Sequence, residues 1–175
     1  MLSIRPAALS DIPAIARIYG ESVTDGTATF ELEPPSEAEM AARMRQLTEG
    51  GYPYLTAEVN GAFAGYAYAG SYRTRSAYRF TVENSLYVAP AVQRRGVGRA
   101  LLDALIDGCA KRGFRQMVAV IGDSPKQVAS IALHKAAGFR VVGTLDHVGF
   151  KQGRWLDTLL MQRALGDGAK TGPGA

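Results

Sequence analysis

The stretch VAPAVQRRGVGRALLDALI, residues 88–106, changes from strand-like to helix-like sequence and decides the fold. A β-type run ends at Pro90, and apolar residues at helical spacing begin after Gly98. The turn between them places two glycines among three arginines, in the order Gln93, Arg94, Arg95, Gly96, Val97, Gly98 and Arg99. A strand that passes through a tight turn into a helix predicts a parallel strand–helix–strand unit in the middle of an α/β sheet.

This turn is a candidate phosphate-binding site. A helix N-terminus presents unpaired N–H groups and a partial positive charge, and both favour phosphate. We predict that Gly96 and Gly98 leave the backbone open to a pyrophosphate, because glycine has no side chain to block it. Leu101 stands where a dinucleotide fingerprint needs a third glycine, and the Lys-Ser/Thr ending of a nucleoside triphosphate loop is missing. The alternative is a basic turn before an ordinary helix.

The rest of the chain predicts the element order β-α-α-β-β-β-α-β-α-β-β. Asn60-Gly61 predicts a tight hairpin and therefore antiparallel pairing. We expect a mixed α/β sheet with helices on both faces, in one domain over 1–165 with a flexible tail over 166–175. The run WLDTLLMQ, 155–162, is expected to be strand core. Strands are predicted at 2–5, 54–59, 62–72, 81–88, 116–121, 140–150 and 155–165, and helices at 10–23, 36–50, 98–112 and 127–137.

Composition excludes several classes of protein. With 175 residues, 47% of them hydrophobic and 21% charged, the chain is typical of a globular protein. No apolar run approaches the ~20 residues of a membrane span, and the N-terminus does not resemble a signal peptide, so we expect no membrane partner and a cytoplasmic location. Cys109 is the single cysteine beside two histidines, which predicts no disulfide and no metal site. We expect Cys109 to be a buried, inert thiol.

Three separate blocks carry a resemblance to a known family. YRTRSAYRFTVENSLYV (72–88), VIGDSPKQVASIALHKAAGF (120–139) and GFKQGRWLDTLLMQ (149–162) resemble the phosphinothricin and methionine sulfoximine N-acetyltransferases of the GNAT superfamily. The resemblance runs from about residue 2 to about residue 165. It implies the GNAT fold, acetyl-CoA as co-substrate, a small-molecule amine or amino-acid acceptor, and a homodimer.

The resemblance also assigns residues to acetyl-CoA. In these enzymes the strand before the glycine turn contacts the pantetheine arm, and the turn itself holds the pyrophosphate. A further contact is an asparagine at the position of Gln127, so this chain carries a longer amide there. The implied cofactor-binding residues are therefore Leu86, Tyr87, Val88, Arg94, Arg95, Gly96, Val97, Gly98, Arg99 and Gln127.

Glu83 is the candidate general base. Amine acetylation requires a neutral amine, and a carboxylate near the acyl carbon commonly removes the proton. Alternation along the strand puts Glu83 on one face with Ser85 and Tyr87, while Asn84 points to the opposite, more apolar face. The resemblance places the catalytic glutamate of the family at Glu83. The alternative is a solvent-facing glutamate paired with an arginine.

Other residues have two possible roles. The resemblance makes His134 a candidate for assisting catalysis near the departing thiolate, although a helical histidine is also a common structural residue. It places Phe30 and the loop with Arg73 and Arg75 along the acceptor, and arginine suits recognition of a carboxylate. Phe30 is otherwise a core residue, and the loop a solvated basic segment. The expected acceptor site comprises Phe30, Arg73, Arg75, Glu83, Asn84 and Ser85.

Two alternative functions remain open from the sequence. The first keeps the acetyl transfer and changes the acceptor to a protein N-terminus, a lysine or another small amine. The basic loop over 73–79 argues for an anionic small molecule instead. The second is a nucleic-acid-binding module that uses the arginines and interleaved tyrosines. No recognised nucleic-acid motif accompanies them, and we predict no nucleic-acid partner.

Overall fold

The computed structural model describes residues 1–173, and the elements follow the predicted order. Four short 3-10 turns join some of them. The strands are β1 (Leu2–Pro6), β2 (Tyr54–Val59), β3 (Ala62–Ser71), β4 (Thr81–Val88), β5 (Gln116–Gly122), β6 (Arg140–Lys151) and β7 (Arg154–Ala164). The helices are α1 (Ile12–Thr24), α2 (Glu37–Glu49), α3 (Val97–Lys111) and α4 (Val128–Ala136).

The strands form one mixed sheet in the order β1-β2-β3-β4-β5-β7-β6. All neighbouring pairs are antiparallel except β4 and β5, which are parallel and joined through α3. The predicted hairpin between β2 and β3 is confirmed, since Asn60 and Gly61 have φ values of 53° and 79°. This pair of left-handed residues is the conformation that a two-residue hairpin turn requires.

Helices cover both faces of the sheet, as predicted. On one face α3 buries Leu101, Leu102 and Leu105 against the sheet, where it packs on β2, β3 and β4. On the other face α1 and α2 pack against a tyrosine-rich surface that includes Tyr54 and Tyr66. These two apolar layers hold the central strands in place from both sides.

The central parallel pair separates halfway along its length. β4 pairs with β5 only over Thr81–Asn84, opposite Gln116–Ala119. Beyond Asn84, β4 continues along β3, whereas β5 continues along β7 as far as Gly122. The edge of β4 that faces β5 therefore has no strand partner over residues 85–88. A gap opens in the middle of the sheet at this point.

Cys109 is fully buried in α3, as expected, and burial raises the pKa of its thiol to about 12. A thiol with so high a pKa stays protonated and unreactive near neutral pH. Between residues 1 and 173, no helix has the length and hydropathy to span a membrane.

The run at 155–162 is only partly core, so that prediction is wrong for Trp155. Leu156 and Met161 are almost completely buried, but Trp155 is 60% exposed. Strand alternation turns Trp155 away from the covered face that receives Leu156. Its ring instead contacts Phe150 edge to face across the β6–β7 hairpin.

The C-terminal segment makes contacts with the domain before the described residues end. Residues 166–169 form a turn, and the Arg115 guanidinium donates a hydrogen bond to the Gly172 carbonyl at 3.2 Å. Gly168 is buried beside Ala164. The flexible tail stays a prediction, and its last two positions, 174 and 175, lie outside the described residues.

Candidate active site

A cavity of about 320 Å³ lies where β4 and β5 separate, a volume in the usual range for a small-molecule site. It collects residues from both strands, from α4 and from the loop between α1 and α2. Eight of the predicted site residues line it: Phe30, Glu83, Asn84, Ser85, Leu86, Tyr87, Gln127 and His134. Glu83 and Asn84 lie on opposite faces of β4, and both line the cavity because the two strands separate directly after them.

Glu83 is half-buried in the cavity wall. Burial raises the pKa of its carboxyl above the ordinary value of 4.5. In the described part of the chain, no lysine or arginine forms an ion pair with it. The alternative of a surface glutamate paired with an arginine is therefore wrong. A desolvated carboxylate without a cation is well suited to accept a proton.

His134 is 4% exposed and fixed by two oxygen atoms. Its Nδ1 lies 2.8 Å from the Ser130 carbonyl oxygen, and its Nε2 lies 3.1 Å from Oδ1 of Asn84. The Asn84 amide is oriented in turn by donating to the Val118 carbonyl at 3.4 Å. Both oxygens are satisfied together only when the ring carries two protons, whereas burial lowers the pKa of His134. The hydrogen bond to the Ser130 carbonyl opposes this lowering of the pKa, because it favours the protonated ring.

Tyrosine and threonine hydroxyls form a second part of the wall, which the sequence analysis missed. Tyr68 lies opposite Ser85 across the β3–β4 pair, so the alternating YAYA pattern was the available signal. Tyr19 comes from α1, and its hydroxyl lies 3.1 Å from Oγ1 of Thr29. Burial raises the pKa of Tyr19 to about 12 and that of Tyr68 above its usual value. These groups remain neutral hydrogen-bond donors.

The turn before α3 has a backbone shaped for an anion. Arg94 and Gly96 have φ values of 61° and 82°. Left-handed residues before a helix N-terminus make successive N–H groups converge in a concave surface. A Cβ on Gly96 would meet nothing within 4 Å, so this glycine supplies conformation as well as access.

Gly98 lies close to residues of neighbouring elements. A Cβ on Gly98 would lie 3.4 Å from Leu133 and 3.6 Å from Val88. Gly98 is therefore close to α4 and to β4, and its contact with the pyrophosphate stays a prediction. Arg99 is also engaged within the protein, since its guanidinium pairs with Asp103 at 2.6 Å and donates to the Ala136 carbonyl at 2.9 Å. Arg94 and Arg95 are exposed.

Arg73 and Arg75 do not line the cavity. Both are exposed in the connection between β3 and β4, and the Arg73 guanidinium lies 5.1 Å from the centre of the Tyr72 ring. Within residues 1–173, no group of three or more histidine, cysteine or acidic side chains is arranged to hold a metal ion.

Comparison with known proteins agrees with this geometry. Residues 4–160 match the family described as Acetyltransferase (GNAT) domain. The chain belongs to the GNAT acetyltransferase family. It is an acetyl-CoA-dependent N-acetyltransferase with the GNAT fold, so the predicted fold class and enzyme class are confirmed.

This GNAT acetyltransferase is similar in sequence and structure to several known proteins. The phosphinothricin N-acetyltransferase of Alcaligenes faecalis is 50% identical, covering 98% of this chain and 86% of the relative. The L-methionine sulfoximine/L-methionine sulfone acetyltransferase of Salmonella typhimurium is 41% identical, covering 96% and 97%. A crystal structure of a phosphinothricin acetyltransferase from Sinorhizobium meliloti in complex with AcCoA superposes with a TM-score of 0.96. That structure is 50% identical and covers 99% of this chain and 93% of its own.

Proposed function

We propose that this GNAT acetyltransferase acetylates the α-amine of a small amino-acid analogue of the phosphinothricin or methionine sulfoximine class, with Glu83 as general base. The observation that carries the proposal is the position of Glu83. Its desolvated, unpaired carboxylate lines the cavity two residues before β4 loses its β5 partner. The names of the relatives from Alcaligenes faecalis and Salmonella typhimurium support the acceptor class.

The residues around the gap fit acetyl-CoA. The unpartnered edge of β4 at Leu86, Tyr87 and Val88 offers backbone donors and acceptors to an extended pantetheine arm. The left-handed turn and the N-terminus of α3 at Val97 would hold the phosphates, with the exposed side chains of Arg94 and Arg95 adding charge. We place Gln127, which lines the cavity, beside the same co-substrate. Acetyl-CoA supplies the activated acyl group as a thioester.

Glu83 would accept a proton from the acceptor ammonium, directly or through water. The freed amine attacks the thioester carbonyl, so a C–N bond forms, the C–S bond breaks and the electron pair leaves with sulfur. N–H groups of residues 86–88 would stabilise the oxyanion that develops on the carbonyl. His134 lies in the same cavity wall, and we propose that it assists by giving a proton to the departing thiolate.

Hydroxyl groups and arginines would share recognition of the acceptor. The neutral hydroxyls of Tyr19, Tyr68 and Thr29 suit the polar oxygens of a phosphinate or sulfoximine. Arg73 and Arg75 form no ion pair in the structure as described through residue 173, so their guanidinium groups are free to bind an α-carboxylate. Binding of a carboxylate by them requires the β3–β4 connection to reach over the cavity.

We also propose a homodimer. The β6–β7 hairpin carries an exposed apolar patch, and such patches commonly mark protein interfaces. A second copy of the chain would cover this patch, which consists of Val141, Val142, Leu145, Val148, Phe150 and Trp155, each 46–60% exposed. The cytoplasmic location stays a prediction.

Thiol release from acetyl-CoA across an acceptor panel tests the proposed function. We expect turnover of phosphinothricin, methionine sulfoximine and methionine sulfone, because the cavity is small and rich in neutral donors. Common amino acids serve as competing small acceptors, and a basic peptide represents a protein N-terminus or lysine. Turnover of the peptide alone would overturn the small-acceptor class and leave the acetyltransferase activity in place.

Gly96→Ala tests the proposed phosphate turn. Alanine at a φ of 82° costs about 1–2 kcal/mol, so the turn relaxes and the KM for acetyl-CoA rises on the order of tenfold. The acceptor KM stays unchanged, because Gly96 does not line the cavity. Gly61→Ala is the matched control, since Gly61 has a φ of 79° and equally open surroundings in the β2–β3 hairpin. An equal effect of both variants on the acetyl-CoA KM would contradict the assignment.

A further inference from the structure

The Phe30 ring lies in a slot formed by two glycines. A Cβ added to Gly149 in β6 would approach ring atoms of Phe30 to 2.3 Å and 2.6 Å. A Cβ added to Gly122 at the end of β5 would approach the ring to 2.6 Å. Neither glycine has a positive φ, so the backbone does not require glycine at these positions. Glycine is required instead by the space that the Phe30 ring occupies and, at Gly122, also by the Ala28 carbonyl oxygen, which a Cβ would approach to 2.9 Å.

The segment that carries Phe30 is anchored by buried polar groups. Nζ of Lys151 donates a hydrogen bond to the Thr29 carbonyl at 2.9 Å, although this lysine is only 5% exposed. The Thr27 hydroxyl bonds to the buried carboxylate of Asp123. Burying a charged lysine costs free energy unless its ammonium group is hydrogen-bonded. The bond from Lys151 to the Thr29 carbonyl therefore fixes the backbone directly before Phe30.

We infer that Gly122 and Gly149 form a slot that sets the position of the Phe30 ring and thereby determines which acceptors the cavity admits. This inference rests on the proposed function for the identity of the acceptor. Phe30 lines the same cavity as Glu83 and Tyr68, so its ring limits the space available beside the proposed base. Lys151 is the positioning residue that holds the backbone of the segment.

A side chain added in the slot should displace the Phe30 ring. An alanine at Gly149 fits the strand backbone but overlaps the ring, and the segment that leads to Phe30 is anchored at Thr27 and Thr29. The unfilled space beside the ring is the cavity. The ring therefore moves into the cavity and reduces the room for the acceptor side chain, while the β4 edge and the α3 turn remain as they are.

A double-mutant cycle between Gly149→Ala and Phe30→Ala tests the slot. In the protein that retains Phe30, we expect Gly149→Ala to raise the KM for a bulky acceptor by about tenfold or more and to leave the acetyl-CoA KM unchanged. The melting temperature falls as well, because the ring is displaced. In the Phe30→Ala background, both effects of Gly149→Ala disappear, because no ring remains to be displaced.

Gly143→Ala is the matched control, because Gly143 also lies in β6 and a Cβ there would meet nothing within 4 Å. It should change neither the acceptor KM nor the melting temperature. Equal effects of Gly149→Ala with and without the Phe30 ring would overturn the inference, as would an unchanged acceptor KM.

The two proposals fail in different ways. The melting temperatures report on the slot whatever the enzyme acetylates, and the kinetic cycle uses any acceptor that the wild type turns over. An unexpected acceptor with an intact cycle would overturn the proposed function alone. The expected acceptor without coupling would overturn the slot alone.

Discussion

Replacement of Glu83 by glutamine is expected to lower kcat for acceptor acetylation by about 10²–10⁴-fold, the usual contribution of a general base. Glutamine has nearly the same shape and retains an oxygen, but it does not accept the ammonium proton. The KM for acetyl-CoA should change little, because the proposed phosphate contacts lie at the α3 turn. Steady-state kinetics with both substrates varied separates these effects. Glu49→Gln, at the exposed end of α2, is the control and should retain full activity.

The pH dependence gives an independent test of the same residue. Burial raises the pKa of Glu83 above 4.5, and the base works only when ionised. Activity should therefore rise with pH through this raised pKa, so the acidic limb lies at higher pH than for an exposed glutamate. Glu83→Gln removes that limb from the profile of kcat/KM. A limb that persists unchanged in the variant would assign the base role to another group.

The second prediction with a large expected effect concerns the contribution of Asp123 to stability. This carboxylate is 2% exposed, bonds to the Thr27 hydroxyl and accepts a hydrogen bond from Nη1 of Arg154 at 3.1 Å. We expect Asp123→Asn to lower the free energy of unfolding by about 2 kcal/mol. This is less than for a fully buried pair, because the Arg154 side chain is 39% exposed and water screens it. Asparagine tolerates the φ of 50° at this position, so the loss reports on the charge.

Thermal or urea unfolding measures this loss at several pH values. Arg154 lowers the pKa of Asp123 below its ordinary 3.8, so the stabilisation is present above that pH and decreases as the carboxylate is protonated below it. Wild type and variant should therefore converge in acid. Asp107→Asn removes an exposed pair with Lys111 and is expected to cost under about 0.5 kcal/mol. A similar cost for both variants would show that burial of Asp123 contributes nothing.

Local patterns were sufficient to predict the elements of this fold. Ser36 followed three residues later by Glu39 is a typical helix-capping sequence, and the Ser36 hydroxyl accepts a hydrogen bond from the Glu39 amide at 3.2 Å where α2 begins. Asn60-Gly61 specified the β2–β3 hairpin, and the glycine turn specified the parallel unit around α3. Each signal lies within a few residues of the structure it determines, which is why one sequence was enough.

The cavity wall was only partly predictable, because much of it comes from distant segments. Glu83 and Asn84 follow from strand alternation in β4, but Tyr19 and Gly149 enter through contacts that no local pattern encodes. The closeness of Leu133 to Gly98 was missed for the same reason, since Leu133 is on another helix. The sequence analysis assigned the arginines to the phosphates because of their charge. The structure shows that Arg99 pairs with Asp103 and donates to the Ala136 carbonyl at the end of α4.

The gap between β4 and β5 has a mechanical meaning beyond substrate binding. Among residues 1–173, four residue pairs join the two halves of the sheet directly, since one half ends at β4 and the other begins at β5. The two halves of the sheet are therefore joined by a short pairing. Backbone N–H and C=O groups that a complete sheet would pair internally remain available to a bound molecule. An extended molecule lying between β4 and β5 would form hydrogen bonds with these backbone groups. It would take the place of an interior strand and make the divided sheet continuous.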